Sequence, residues 1–257
     1  MKIAILSTNP CANKGSMGRL EGMIMCIRRE IPQSEVTILH RYHQKENATF
    51  GKYLEGKYTG IILKPHPWFN ESGSNIYTGI SSMIHFLAGA ISCKLLGRNC
   101  LDEYDFIVDI NFIEPDMLTS EYDPEAIVGN ILVLLNAWYA VQSKKPIMIC
   151  SATIGPYKNI CTRNLAPKIL NKVKAITLRE PYSVDYLSSI GVTNPQIHLS
   201  ADLTFLLEAS SIENLPGSND AQKLRRPIIG IVPTAMMHPV LKESDYISLM
   251  AELIETI

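Results

Sequence analysis

The sequence predicts an α/β protein built on a doubly wound, mostly parallel sheet. Short apolar runs alternate along the chain with longer segments whose apolar residues recur at helical spacing. Several of these runs change abruptly into polar, Gly or Pro residues, as buried parallel strands do where they enter a loop. Three such changes lie between residues 151 and 207. We therefore expect functional groups to gather where the strands end in loops, at the carboxyl edge of the sheet.

The first predicted unit is a strand at residues 3–7, a glycine-containing loop at 8–18 and a helix at 19–30. Pro65 and Pro67 end the predicted strand at residues 60–63. Gly97 suits the C-cap of the predicted helix at residues 75–96. Further apolar runs predict strands at residues 36–39, 60–63, 106–110, 146–150, 175–178 and 196–199. Helical spacing predicts helices at residues 75–96, 123–142, 162–173 and 182–190.

The domain organisation follows from a change in composition near residue 208. Residues 1–207 carry the alternating pattern and form the predicted N-terminal domain, whereas residues 208–226 are rich in Ser, Asn, Gly and Asp and form a predicted linker. Residues 227–257 predict one strand and one helix, which bury too little apolar area to fold alone. We expect this last segment to be the start of a second, incomplete domain.

Charge and composition exclude several kinds of protein. The net charge is −1, with 24 basic and 25 acidic residues, and no dense basic block suggests nucleic-acid binding. The longest apolar run, residues 127–141, is shorter than the roughly 20 residues of a membrane span. The N-terminus lacks a signal-peptide pattern, so a cytoplasmic protein is expected. The histidines show no metal-ligand spacing, and we predict no metal and no cofactor.

The first loop is a candidate anion site. Asn13, Gly15 and Ser16 precede a predicted helix, so backbone N–H groups and the positive helix end could face an anion, with Lys14 and Arg19 nearby. A plain tight turn is the alternative.

Asp109 closes a predicted strand at the edge where ligands bind in such sheets, with capping of a neighbouring turn as the alternative.

Arg179 is the most informative single residue. It follows the strand at 175–178 and precedes Pro181, which suits the first turn of a helix, so its guanidinium should project beside a helix N-terminus. Such a fork of donors binds a carboxylate or a phosphate. The alternative is a salt bridge to Glu180 or Asp202, which does not exclude ligand binding. For Asp202 itself we favour a structural role.

Four segments in this order resemble the polysaccharide pyruvyltransferase family. They are Asn-Lys-Gly-Ser at 13–16, Ser-Ala-Thr-Ile-Gly-Pro-Tyr-Lys at 151–158, Thr-Leu-Arg-Glu-Pro-Tyr-Ser at 177–183 and Ala-Asp-Leu-Thr-Phe-Leu-Leu at 201–207. Each is short, but their order spans most of the chain.

The resemblance implies two Rossmann-like domains, as in glycosyltransferases of the B type, with the active site between them. It also implies transfer of a pyruvyl group from phosphoenolpyruvate, the donor substrate, to two hydroxyls of a sugar as a cyclic ketal. Arg179 would hold the donor anion. Asn13, Gly15 and Ser16 match the first loop of the family and would line the cleft. Asp109 is a candidate substrate-binding residue from its place at the carboxyl end of its strand, independently of the resemblance. Gly155, Pro156 and Asp202 would be structural residues near the site.

The resemblance further implies an acid or base histidine in the second domain. His238 does not match that histidine, and Ser16 stands where the family often has an acidic residue. We therefore assign no catalytic residue and expect the chain alone to be inactive. The acceptor would be a saccharide or lipid-linked saccharide of cell-surface polysaccharide synthesis, which allows peripheral location at the inner membrane face. Two alternatives remain, a nucleotide-sugar glycosyltransferase of the B type and a non-catalytic binding or assembly protein.

Overall fold

The structure is a computed structural model that describes residues 1–8, 14–40, 52–54, 56–66, 76–97, 99–110, 124–208, 230–231 and 242–256. Its strands are β1 (Lys2–Thr8), β2 (Glu35–His40), β3 (Ile61–Pro65), β4 (Phe106–Asp109), β5 (Ile147–Ala152), β6 (Ala175–Leu178) and β7 (Gln196–Leu199). Its helices are α1 (Lys14–Glu30), α2 (Ile76–Leu96), α3 (Pro124–Gln142), α4 (Ile160–Leu170), α5 (Pro181–Ser189) and α6 (Glu243–Thr256). A short 3₁₀ helix spans Leu203–Leu206.

The sheet confirms the predicted doubly wound fold. Its strand order is β3-β2-β1-β4-β5-β6-β7, and every neighbouring pair is parallel. The chain moves outward from β1 to β3 and then returns to place β4 on the other side of β1. The carboxyl ends of β1 and β4 therefore form the topological switch point, where ligands bind in sheets of this kind.

Apolar side chains cover both faces of the sheet. Along β1, Ile3 and Ile5 pack with α1, whereas Ala4 and Leu6 pack with the core on the opposite face. This alternation follows from the two-residue period of a strand. Because both faces are buried, the strand is a continuous apolar run, as the sequence pattern predicted.

Several boundaries differ from the sequence prediction by one to five residues, and two of these differences have a clear physical reason. Helix α1 begins at Lys14, so Gly15 and Ser16 lie in its first turn and not in a loop. Strand β3 includes Pro65 and lies at the edge of the sheet, where a residue without an N–H group is tolerated. Strands β6 and β7 have the predicted bounds.

The chain separates into two compact units, and the chain passes from the first into the second between Leu207 and Glu208. The predicted linker, apart from Glu208, and most of the predicted strand at 227–233 lie outside the described residues. Helix α6 belongs to the second unit. The proposed domain bounds therefore stay a prediction. Across the described residues, no helix has the length and apolar character that crossing a membrane requires.

Candidate functional site

The switch point joins the end of β4 to the start of α1. Asp109, the last residue of β4, is almost completely buried. Arg19 in α1 is buried too, and its Nη1 donates a hydrogen bond of 2.8 Å to the carbonyl oxygen of Ile110. The guanidinium thus ties the first helix to the chain that leaves β4.

Arg179 lies two strands away, at the carboxyl end of β6. Its backbone N–H donates to the carbonyl of Ala152 at 3.0 Å, and its Nε donates to Oγ1 of Thr153 at 2.6 Å. Its Nη1 donates to a carboxylate oxygen of Asp202, so of the two salt bridges considered from sequence the one to Asp202 is formed. Nη2 of Arg179 donates no hydrogen bond to any of the residues that the structure describes. The guanidinium is thus fixed along one edge.

Asp202 links this arginine to the 3₁₀ helix. One carboxylate oxygen accepts from the backbone N–H of Thr204 at 2.9 Å and from its hydroxyl at 3.0 Å, while the other accepts from Arg179. Burial opposes ionisation of Asp202, but the hydrogen bonds from Thr204 and Arg179 outweigh it, so its pKa lies below its ordinary value. The carboxylate is therefore ionised at neutral pH.

A layer of hydroxyl groups fastens β5, β6 and the 3₁₀ helix together. The backbone N–H of Ser151 donates to Oγ1 of Thr177 at 2.8 Å, and Oγ of Ser151 accepts from the N–H of Leu203 at 3.1 Å. Ser151 has a φ of 53°, a left-handed value that is uncommon outside glycine. Sequence reasoning did not single out Ser151 or Thr153 as site residues. Their two-residue spacing at a strand end is the signal that could have found them.

Helix α1 packs closely on the 3₁₀ helix because two of its residues are glycines. A Cβ atom on Gly22 would lie 2.2 Å from the carbonyl oxygen of Leu203, and one on Gly18 would lie 3.0 Å from Cγ2 of Thr204. This close approach brings Arg19, which lies between the two glycines in sequence, to the same edge of the sheet as Asp202.

Four charged groups share this edge. Burial, followed by the positive charge of Arg179, lowers the pKa of Arg19 to about 10, while the carboxylates of Asp202 and Asp109 act in the opposite direction. Two guanidinium groups and two carboxylates therefore form one electrostatic cluster, which we call the arginine cluster (Arg19, Asp109, Arg179 and Asp202).

Gly155 and Pro156 belong to a neighbouring loop that packs on α5. Gly155 has a φ of 79°, and a Cβ there would lie 1.9 Å from the ring of Tyr186. The N–H groups on either side of the Gly-Pro pair are held by α5, with Ile154 donating to Ser183 Oγ at 3.0 Å and Tyr157 donating to Tyr186 Oη at 2.7 Å. The loop is thereby fixed beside Thr153.

The structure brings only some of the predicted site residues together. Asp109, Arg179 and Asp202 lie in the arginine cluster, whereas Asn13 lies outside the described residues. Gly15 and Ser16 are in the first turn of α1, which corrects their assignment to a loop.

Two other kinds of site find no support among the described residues. Within the described ranges, no group of three or more His, Cys, Asp or Glu side chains could hold a metal ion. Cys150, at the centre of the sheet, is a poor nucleophile because burial raises the pKa of its thiol to about 12.

A family model and a curated relative both connect this chain with polysaccharide biosynthesis. Residues 40–246 match the family model described as polysaccharide pyruvyl transferase. The chain is also 21% identical over 234 residues to the amylovoran biosynthesis protein AmsJ of Erwinia amylovora, an alignment that covers 85% of this chain and 52% of that protein. The chain thus spans about half the length of this curated relative. Because the family match extends over most of the chain, the protein belongs to the polysaccharide pyruvyl transferase family.

Proposed function

We propose that this chain binds phosphoenolpyruvate at the arginine cluster and contributes that site to a pyruvyl transferase of cell-surface polysaccharide biosynthesis. The observation that carries the proposal is the pair of arginines at the carboxyl edge of the sheet. Arg19 and Arg179 come close enough for the charge of one to lower the pKa of the other. Family membership supports a transferase, and the name of the relative supports a role in exopolysaccharide synthesis.

The chemistry of the donor matches this pair. Phosphoenolpyruvate carries a phosphate and a carboxylate, and a guanidinium can donate two parallel hydrogen bonds to either group. Arg179 has its Nε and Nη1 fixed by Thr153 and Asp202, so its remaining Nη2 donors keep a constant direction. Fixed donors bind an anion with little loss of side-chain entropy.

The proposed reaction moves the three-carbon unit and releases phosphate. A proton adds to the methylene carbon of the enol, and one sugar hydroxyl attacks C2. The bond between C2 and the phosphate-bearing oxygen breaks, and a second hydroxyl adds to C2. The two protons released by the sugar hydroxyls balance the proton taken up by the methylene carbon and the proton gained by phosphate. Guanidinium groups stabilise the charge that grows on the leaving phosphate. In this proposal the described residues bind and orient the donor, and the acceptor is a saccharide or lipid-linked saccharide.

Isothermal titration of the 257-residue chain with phosphoenolpyruvate tests the proposal. We expect Arg179→Lys, which keeps the charge but loses the fork, to weaken binding about tenfold. Arg163→Lys is the matched control because Arg163 is exposed on α4, and we expect no change in its affinity. Equal affinity of wild type and Arg179→Lys for phosphoenolpyruvate would remove the arginine cluster from the donor site.

A thermal-shift series separates the proposal from its two alternatives. Phosphoenolpyruvate should raise the melting temperature of the wild-type chain by mass action, and nucleotide sugars should not. A shift with a nucleotide sugar alone would favour the glycosyltransferase, and no shift with any of these ligands would favour a non-catalytic binding protein.

A further inference from the structure

A second charged feature lies at the opposite edge of the sheet, where the strands begin. Lys144 and Lys145 lie three and two residues before the start of β5, and Lys172 and Lys174 lie just before β6. All four line one cavity of about 510 Å³, together with Asn194 and with Gln196 at the start of β7. Because all the strands are parallel, this edge is the one farthest along the strands from the arginine cluster.

None of the described residues that line this cavity is acidic. Among the residues that the structure describes, none of the four ammonium groups takes part in a recorded ion pair or hydrogen bond. The protein as a whole has 24 basic and 25 acidic residues. An excess of basic residues in the sequence therefore cannot account for four unpaired cations in one place. Like charges held together repel each other until an anion neutralises them.

Lys144 adds an independent observation. Its φ is 57°, in the left-handed region that glycine adopts readily and a lysine rarely does. A glycine would fit this turn better, so the lysine side chain is present despite a backbone cost. A ligand that needs its charge would account for that cost.

An adjoining cavity extends the site and changes its chemistry. It has a volume of about 690 Å³, shares Lys144 and Lys172 with the first cavity, and adds the side chains of Trp138 and Gln142. Asp102 lines it as well, and one of its carboxylate oxygens accepts a hydrogen bond of 2.9 Å from the backbone N–H of Asn99. Trp138 is half-buried and packs against the main apolar core, which holds its ring in place. We call the two cavities together the lysine groove.

We infer that the lysine groove binds an acidic saccharide chain. Ammonium groups attract the carboxylates of such a chain, carboxamides such as Gln142 and Gln196 can both donate to and accept from its hydroxyls, and a fixed indole offers a flat face to the apolar side of a sugar ring. A lone phosphate would use the lysines without Trp138, and a flat bilayer surface does not fill a concave groove. The choice of a saccharide rests on the proposed function, in which this chain works on a polysaccharide.

Binding of a tetramer of galacturonic acid to the full 257-residue chain tests the inference. We expect measurable affinity that falls as the salt concentration rises, and no affinity for the uncharged maltotetraose. Replacing both Lys172 and Lys174 by Gln should weaken binding at least tenfold, whereas Lys52→Gln, at an exposed lysine outside the groove, should leave it unchanged. Trp138→Leu should weaken binding about threefold, and Trp138→Phe, which keeps a ring, should stay near wild type.

The same samples separate this inference from the proposed function. Arg179→Lys should leave tetramer binding intact, and the double lysine variant should leave phosphoenolpyruvate binding intact. Failure of the wild-type chain to bind phosphoenolpyruvate, with tetramer binding present, would count against the donor site only. The inference is overturned if wild type does not bind the tetramer, if inorganic phosphate binds as tightly and Trp138→Leu has no effect, or if phosphatidylglycerol vesicles bind through these lysines and the tetramer does not.

Discussion

The two edges of the sheet hold positive charge in opposite ways. At the carboxyl edge, Arg179 is paired with Asp202, and Arg19 is buried close to the carboxylates of Asp109 and Asp202. At the amino edge, four lysines line one cavity of the groove, and no acidic side chain is among the described residues of that cavity. Paired and buried charges are fixed in position, whereas exposed lysines keep their side-chain freedom and are screened by salt.

Because of this difference, the two edges are suited to different kinds of anionic ligand. A fixed guanidinium fork discriminates by geometry and suits a small, rigid anion that must be held for chemistry. Mobile ammonium groups act as point charges and suit an extended, variable anion that must only be retained. The carboxyl edge therefore depends on close packing of the fold to keep its charges in place, whereas the exposed lysines of the amino edge do not.

The largest expected effect is on that packing. Gly22→Ala would place a Cβ 2.2 Å from the carbonyl oxygen of Leu203, so α1 and the 3₁₀ helix must move apart. We expect the free energy of unfolding to fall by about 3 kcal/mol. Gly56→Ala is the matched control, because nothing lies within 4 Å of its Cβ position and alanine favours a helix, so stability should rise by up to about 1 kcal/mol. Urea unfolding measures both, and similar small changes in the two variants would show that the carboxyl edge is not tightly packed.

A smaller effect is expected at the ion pair. Asp202→Asn removes the charge that faces Arg179 and should lower the free energy of unfolding at pH 7 by about 1–2 kcal/mol, a modest value because solvent reaches the pair. Asp185→Asn, at an exposed position on α5, should change it by less than about 0.5 kcal/mol.

The pH dependence of the same variant follows from the lowered pKa of Asp202. Since the folded pKa lies below the ordinary value of 3.8, the carboxylate stabilises the fold above that pH, and this contribution is lost as the pH falls towards the folded pKa. The difference in stability between wild type and Asp202→Asn should therefore shrink below about pH 4. A difference that stays constant from pH 7 to pH 2 would contradict an ionised Asp202.

Most of the sheet could be predicted because buried parallel strands are short apolar runs with clear limits. The start of α1 could not, because Gly15 and Gly18 lower the intrinsic helix propensity of residues 14–18. The helix includes them because Gly18 and Gly22 allow close contact with the 3₁₀ helix, which is a tertiary effect that local sequence does not show.

The site was predictable only in part, because local sequence shows which side chains stand at strand ends but not which of them meet in the fold. Arg179 and Asp202 stand at strand ends and attract notice singly, and their pairing was one of the options. Ser151 and Thr153 do not stand out singly, and only their two-residue spacing at a strand end indicates that they share a face. The lysine groove could not be predicted at all, because Lys144 and Lys172 are far apart in sequence and meet only where β5 and β6 are neighbours.

The last prediction concerns the amino edge, where stability and binding should change in opposite directions. Lys144→Gly relieves the left-handed backbone at φ 57° and should raise the free energy of unfolding by about 1 kcal/mol, while affinity for the galacturonic acid tetramer falls about threefold. Lys145→Gly also removes a groove lysine, but Lys145 has no positive φ, so this variant should lose about 0.5–1 kcal/mol. Thermal unfolding and titration measure the two properties. A Lys144→Gly variant as destabilised as Lys145→Gly, or one that binds the tetramer like wild type, would show that the lysine at this turn is not held there for its charge.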